Sequence, residues 1–123
     1  MADTITNKLR KVLQAKLKTL CQDVSYRVAR GAHAGEFVVF ALSNSLDDEL
    51  LWQTTLEVNV LGRGQNTTPV ETLADDIWMA LDHFYYLADG LGFTIYQTSR
   101  GSVDEETDSL NHLRLIFQLR LYK

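Results

Sequence analysis

Catalysis and metal binding need nucleophiles, bases or ligands at defined spacings, and this sequence offers few of them. Its three histidines, His33, His83 and His112, fall on a predicted loop, a helix and a strand. His83 with Asp82 and the Asp75/Asp76 pair could sketch a metal site. Those aspartates, however, lie on the helix side away from its apolar stripe, where carboxylates stay solvated. His112 falls on the polar side of its strand, as a surface residue does. Gly31-Ala32-His33-Ala34-Gly35 is glycine-flanked but lacks the Lys and the Ser/Thr of a phosphate-cradling loop, so it reads as a turn. No G-x-S-x-G, H-E-x-x-H or C-x-x-C run occurs. Cys21 stands alone, which excludes an internal disulfide and a cysteine-built zinc site, and its apolar helical setting makes it a small buried hydrophobe. Two acidic clusters remain, Asp47-Asp48-Glu49 and Asp104-Glu105-Glu106 with Asp108. The second superficially suggests calcium, but an EF-hand loop needs a glycine and spaced carboxylates between two helices, and here strands flank the run. Both clusters read as solvated hairpin tips and, next, as docking surfaces. No catalytic, cofactor-binding or metal residue is assigned, and no cofactor is expected.

With chemistry thin, charge becomes the more informative quantity. The 123 residues carry a net charge of −4, unevenly spread. Residues 1–35 hold seven Lys or Arg (Lys8, Arg10, Lys11, Lys16, Lys18, Arg27, Arg30) against two carboxylates, a balance of +5. Residues 36–123 hold five against fourteen, a balance of −9. One reading is a solvated basic helix face. The sharper one is a subunit with a positive and a negative face, suited to head-to-tail contact with copies of itself. Sequence-specific nucleic-acid binding is disfavoured, because the basic helix has no interleaved aromatics and the chain as a whole is acidic. No apolar run approaches the roughly 18 residues of a membrane span, and the N-terminus lacks a signal peptide's apolar stretch, so a cytoplasmic or cytoplasm-assembled protein is expected.

The elements that must position these residues follow from periodicity. With 46% apolar and 23% charged residues the chain reads as one globular domain over 1–123. Ile5, Leu9, Val12, Leu13, Leu17 and Leu20 predict a helix from about Asp3 to Gln22, capped by Asp3 or Thr4. Val24 to Val28 predicts a short strand, Phe37 to Leu42 a buried one, and Ser43 to Glu49 the turn of a long hairpin. Trp52, Thr54, Leu56, Val58 and Val60 alternate with polar residues as the next strand. Thr68-Pro69-Val70-Glu71 predicts a capping box with Thr68 at the N-cap. The helix should run to about Asp89, with Val70, Leu73, Ile77, Leu81, Phe84, Tyr85 and Ala88 as its core stripe and Gly90 or Gly92 as its stop. Phe93 to Ser99 is a strand, Gly101 to Ser109 an acidic turn, and Leu110 to Tyr122 a final strand. There Leu113, Leu115, Phe117, Leu119 and Leu121 face one way and His112, Arg114, Gln118 and Arg120 the other, with only Ile116 breaking the alternation. The expectation is an α+β fold of order α-β-β-β-α-β-β, an antiparallel sheet of about five strands with both helices on one face. The other face, with Glu57, Arg114, Gln118 and Arg120, must be solvated or pressed on a partner.

This order of elements carries a resemblance. Phe37-Val38-Val39-Phe40, the strand Trp52 to Val60, the helix Asp76-Ile77-Trp78-Met79-Ala80-Leu81, Gly92-Phe93-Thr94-Ile95-Tyr96, an acidic turn, and the run Leu113 to Tyr122 with its Ile116-Phe117-Gln118 and Arg120 together resemble the tail terminator proteins of long-tailed bacteriophages. These are also known as tail completion or minor capsid proteins. The turn Gly101 to Ser109 departs from the pattern by lacking a proline. The resemblance implies a hexameric ring, a structural virion component at the head–tail junction that is made in the host cytoplasm. It would cap the tail tube, end its elongation and join tail to head. Its partners would be further copies, a tail tube protein and a head-closure protein. DNA would pass through the lumen without sequence recognition, and no membrane is involved.

Ring formation needs two complementary patches on each subunit. The candidate interface residues are Lys8, Lys11, Lys18, Asp47, Asp48, Glu49, Arg100, Asp104, Glu105, Glu106, Arg114, Gln118 and Arg120. The alternatives are another neck or tail-tube component, a small non-catalytic α+β binding domain, or an enzyme using His33 or His112 with nearby carboxylates.

Overall fold

The structure, a computed structural model, describes residues 5–27, 35–43, 53–64, 66–88, 90–103 and 110–122. The first helix, α1, spans Ile5–Lys18 and buries Leu9, Leu13 and Leu17, one residue per turn. It is shorter than the expected run to Gln22. The Thr19 and Leu20 N–H groups donate to the Lys16 and Leu17 carbonyls at 3.2 and 3.0 Å, tightening and closing the last turn. The proposed caps Asp3 and Thr4 lie outside the described residues.

Three strands follow, β1 (Val24–Tyr26), β2 (Phe37–Ser43) and β3 (Gln53–Arg63), then the second helix α2 (Thr68–Leu81) and the strands β4 (Tyr85–Ala88), β5 (Leu91–Ser102) and β6 (Leu110–Tyr122). They build one six-stranded sheet in the order β1-β2-β3-β6-β5-β4. This corrects the expected all-antiparallel sheet of about five strands in two respects. First, β1 runs parallel to β2, with Val24 opposite Val38. The connection from Arg27 to Glu36 is far longer than a hairpin turn, so the chain can return to the end it left before entering β2. Arg27, at a left-handed φ of 71°, begins that departure while its N–H donates to the Phe40 carbonyl at 2.8 Å.

The second correction is the end of α2. The helix stops at Leu81, eight residues before the expected Asp89, and Tyr85–Ala88 is a strand. Phe84, Tyr85 and Ala88 are therefore not part of a helix stripe, and Gly90, at φ 77°, sits at the β4–β5 connection instead of capping a helix. The cause is backbone pairing with β5. His83 adopts a left-handed φ of 60°, its N–H donates to the Ile95 carbonyl at 2.7 Å, and the Ile95 N–H donates to the Phe84 carbonyl at 3.0 Å. A continued helix would have left those Ile95 groups without this ladder in a buried strand. The N-terminus of α2 also differs from the capping box. Thr68 lies inside the helix, and the Asn66 carboxamide accepts the Thr68 N–H at 3.1 Å, so the threonine hydroxyl is not needed as a cap.

Both helices cover the same sheet face. Leu9, Leu13 and Leu17 of α1 join Val70, Ala74, Ile77 and Leu81 of α2 in one buried cluster with Phe40, Val58, Phe93, Ile95, Leu115 and Phe117 from the strands. Gly62 lets α2 start close to the sheet, since a Cβ there would lie 2.5 Å from Val70 Cγ2. The last strand spans Leu110–Tyr122 as expected and occupies the centre of the sheet, paired along its length with β3 and β5. A register shift between Gln97 and Ser99 interrupts the β5–β6 ladder, so Arg100 pairs with Leu115 and Gly101 with Arg114. The extra residue moves Arg100 onto the helix-covered side of the sheet.

Candidate functional site

The residues that could have carried chemistry are dispersed into structural duties. Arg100 Nη2 pairs with Asp75 Oδ1 at 2.9 Å, with its guanidinium 5.4 Å from the Trp78 ring centre. Asp82 accepts the Gln97 N–H at 3.3 Å and meets His83 Nδ1 at 3.0 Å, while the His83 ring sits edge-on to Tyr96. Asp75, Asp82 and His83 thus pin the end of α2 to β5, and Asp76 does not join them. Among the described residues no group of three or more His, Cys, Asp or Glu side chains gathers at metal-binding distance.

His112 belongs to a ladder on the uncovered sheet face. Asn59 Nδ2 donates to Glu57 Oε2 at 3.1 Å and to the Val39 carbonyl at 3.4 Å, which fixes the amide orientation and aims its oxygen at His112 Nε2, 2.6 Å away. An amide oxygen only accepts, so Nε2 carries the proton. Glu57 Oε1 in turn meets Arg114 Nε at 3.3 Å. Both partners of that pair are substantially exposed, so it contributes little to stability. Cys21 Sγ lies 3.7 Å from the Asp23 carbonyl oxygen and 3.6 Å from that of Glu36. Burial pushes its thiol above the ordinary value, and the Asp23 and Glu36 charges add to that against the lowering effect of the Asp23 hydrogen bond. His33 lies outside the described residues.

What the fold does assemble is a groove between α1 and the edge of the sheet, with a volume of about 600 Å³. From α1 come Lys8, Lys11 and Lys16 along with Val12 and Ala15, and from the turn after it Thr19. Phe84, Tyr86, Ala88 and Leu91 form the opposite wall. Lys16 Nζ rests 4.8 Å from the Phe84 ring centre, and Tyr86 stacks on the buried Phe93 at 5.5 Å. Of the three lysines singled out in the sequence, Lys8 and Lys11 line this groove and Lys18 does not. Lys16 and the aromatic wall were missed. The signal existed for the helical half, since positions 8, 11, 12, 15, 16 and 19 form a second stripe beside the core stripe. The aromatic half was hidden by the misread end of α2.

Around β4 the uncovered face is also apolar. Tyr85, Leu87 and Tyr122 are 57%, 67% and 45% exposed, respectively. Tyr122 Oη lies 2.7 Å from Thr94 Oγ1, its ring 6.2 Å from that of Tyr85. Arg120 is exposed on the same face, opposite Thr94, and Gln118 is half-buried opposite Tyr96. Arg100 does not join Arg114, Gln118 and Arg120, because the β5 bulge sends it to the other face. Asp47, Asp48, Glu49, Asp104, Glu105 and Glu106 lie outside the described residues. Among the described residues no helix is long and apolar enough to cross a membrane.

No protein-family model matches this chain, and no curated protein matches it in sequence. Several solved structures share its fold, and two of them are similar over nearly their whole length. One is a chain described as "Virion of native gene transfer agent (GTA) particle", with a TM-score of 0.66 at 16% identity, covering 96% of this chain and 91% of that one. The other, whose name carries no functional description, has a TM-score of 0.73 at 14% identity, covering 100% of this chain and 97% of that one. At such identities the likeness is one of fold: an α+β chain built on the plan of a chain from a gene transfer agent virion.

Proposed function

We propose that this chain is a non-catalytic structural protein of a phage or phage-like virion. In this reading it is a tail terminator, forming a hexameric ring at the head–tail junction that caps the tail tube, ends its elongation and joins tail to head. The observation that carries the reading is the near-full-length fold match to a chain of a gene transfer agent virion, at 96% and 91% coverage. Two features of the molecule support it. Asp75, Asp82 and Arg100 hold contacts between α2 and β5, and Glu57 pairs with Arg114, whereas the β4 side presents apolar rings and lysines suited to a protein surface. The charge balance of +5 in residues 1–35 against −9 in residues 36–123 is compatible with the two unlike patches that a closed ring requires.

The partners in this reading are further copies, a tail tube protein and a head-closure protein, with DNA passing through the lumen unread. Assembly takes place in the host cytoplasm and ends in the virion. Light scattering of the purified chain, with negative-stain electron microscopy of the peak, tests the proposal. Rings of about six subunits are expected, with the same rings seated on the ends of tail tubes. A strict monomer at high concentration overturns it, and open-ended stacks of rings would identify a tube protein instead.

A further inference from the structure

Open sheet edges are normally guarded by charge, proline or a bulge. The β4 sequence Tyr85-Tyr86-Leu87-Ala88 carries neither charge nor proline, and no described strand pairs with its outer side. Which of its backbone groups are free follows from its ladder. The Ile95 N–H donates to the Phe84 carbonyl, and antiparallel pairs alternate, so Tyr86 and Ala88 turn their backbone groups to Phe93 and Leu91 of β5. Tyr85 and Leu87 therefore turn N–H and C=O outward, while their side chains stand 57% and 67% exposed on the uncovered face. Leu87 leans over Gly92 toward Tyr122, since a Cβ on that glycine would lie 3.0 Å from Leu87 Cδ1 and 3.7 Å from Tyr122 Cβ.

An edge of this kind matches itself. A two-fold axis normal to the sheet sets two β4 strands antiparallel and keeps both uncovered faces on one side. With the axis beside Tyr86, that residue faces its own copy, and Tyr85 of each chain faces Leu87 of the other. Both residues already point N–H and C=O outward, so each Tyr85–Leu87 pair exchanges two backbone hydrogen bonds. Each pair also sets an aromatic ring against a leucine, and no charged side chain of β4 opposes another. A slip of one residue would lay helix-side residues against uncovered-face residues, and centring on Leu87 would break both tyrosine–leucine pairs. We propose that β4 pairs with β4 of a second copy in this register, continuing the sheet across a two-fold contact. The exposed parts of Tyr85, Leu87 and Tyr122 come to roughly 300 Å² per copy, taking about 200 Å² for each side chain. Two copies bury roughly 600 Å² of such surface, below the about 1,200 Å² of stable complexes, so the pair forms and separates with concentration. The contact goes beyond the ring reading, because an isologous contact closes at two subunits. In a chain that also forms rings it joins one ring to another.

Single cysteines in the full chain, with Cys21 replaced by alanine, report the register under mild oxidation. C21A/Y86C is expected to give a disulfide-linked dimer, since facing residues of a non-hydrogen-bonded pair stand about 4.5 Å apart at Cα, within disulfide reach. C21A/Y85C and C21A/L87C are each expected to stay unlinked alone, because diagonal neighbours lie about 7–8 Å apart. Mixed together, the two are expected to link. Tyr86 stacks on Phe93, so circular dichroism melts check the fold of C21A/Y86C, and the mixture at exposed Tyr85 and Leu87 decides the question if that variant unfolds. Sedimentation should show a dimer fraction that rises with concentration. L87P, which removes an outward N–H that the β5 ladder does not use, should weaken that dimer about tenfold. Failure to link in both the Tyr86 variant and the mixture overturns the proposal, as does self-linking of C21A/Y85C or C21A/L87C as fast as the mixture. Links in a chain that forms no rings leave this contact standing and remove the ring reading. Rings without links do the reverse.

Discussion

The sheet ends in two short strands, and the molecule finishes its two edges in opposite ways. At β1 the aromatic residue, Tyr26, meets two guanidinium groups, with Arg10 at 5.6 Å and Arg27 at 5.4 Å from the ring centre. Gln14 of α1 reaches the Val24 carbonyl at 3.5 Å, and Val24 itself is buried. At β4 the cations stand on α1 across an open groove, and Lys16 touches an aromatic face. Tyr85 and Leu87 keep more than half of their surface in water. Both edges combine basic residues with aromatics, so composition does not distinguish them. Geometry does: at β1 the cations cover the rings, and at β4 they leave room beside them. An edge whose aromatic ring is covered by its own cations is a boundary, whereas one that leaves Tyr85 and Leu87 in water is open to a further contact.

The comparison assumes that the two edges are equally anchored and differ only at the surface. Each rests on a fully buried phenylalanine, Phe40 beneath Tyr26 at 5.1 Å and Phe93 beneath Tyr86 at 5.5 Å. F40A and F93A are each expected to cost about 3–5 kcal/mol in urea denaturation, the usual range for emptying a packed aromatic site. Matched losses support equal anchoring. A loss below about 1 kcal/mol for F93A alone would make β4 a loosely held flap, and its exposed rings would then need no partner.

The unequal visibility of these edges in the sequence has physical reasons. The strand Leu110–Tyr122 was legible to its ends because period-two alternation over a long run admits no helical reading. β4 was not, because Ile77, Leu81, Phe84, Tyr85 and Ala88 happen to continue a helical spacing across a real helix end. The better guide there was chemistry: a run of aromatics followed by Asp89-Gly90, a pair that favours hairpin turns. The parallel pairing of β1 was hidden for another reason, since periodicity fixes which face a residue takes but not which neighbour its strand chooses. Arg100 illustrates the same limit, as one extra residue in β5 sent it to Asp75 and away from Arg114. Of the candidate site, the lysines of α1 could be read from charge. The aromatic wall they face could not, because it exists only once α2 has stopped at Leu81.

If β4 is the receiving edge, changes to its surface should affect association and leave folding alone. Y85K/L87K places two cations on exposed positions of the uncovered face. The unfolding free energy should stay within about 0.5 kcal/mol of the parent, as for most exposed substitutions. Sedimentation should show self-association weakened about tenfold, because the apolar contacts are lost and the edge acquires the lysines that guard natural edges. R27E on the β1 edge is the control and should leave association unchanged. Equal effects from both variants would dissolve the distinction between the edges.

The smallest expected effect tests the closed edge from within. The Tyr26 hydroxyl is the one buried side-chain polar atom without a hydrogen-bond partner among the described residues. A buried donor left unsatisfied carries a desolvation penalty, and removing it while keeping the ring should be favourable. Y26F retains the edge-to-face contact with Phe40 and a π-face for Arg10 and Arg27. It should therefore raise stability by about 1 kcal/mol, read as a higher urea midpoint at an unchanged slope. The gain is specific to this edge, because the Tyr122 hydroxyl near β4 already has Thr94 as a partner and Y122F should bring none. A loss of stability in Y26F would mean that the hydroxyl is satisfied at β1, and that this edge is held by more than its two arginines.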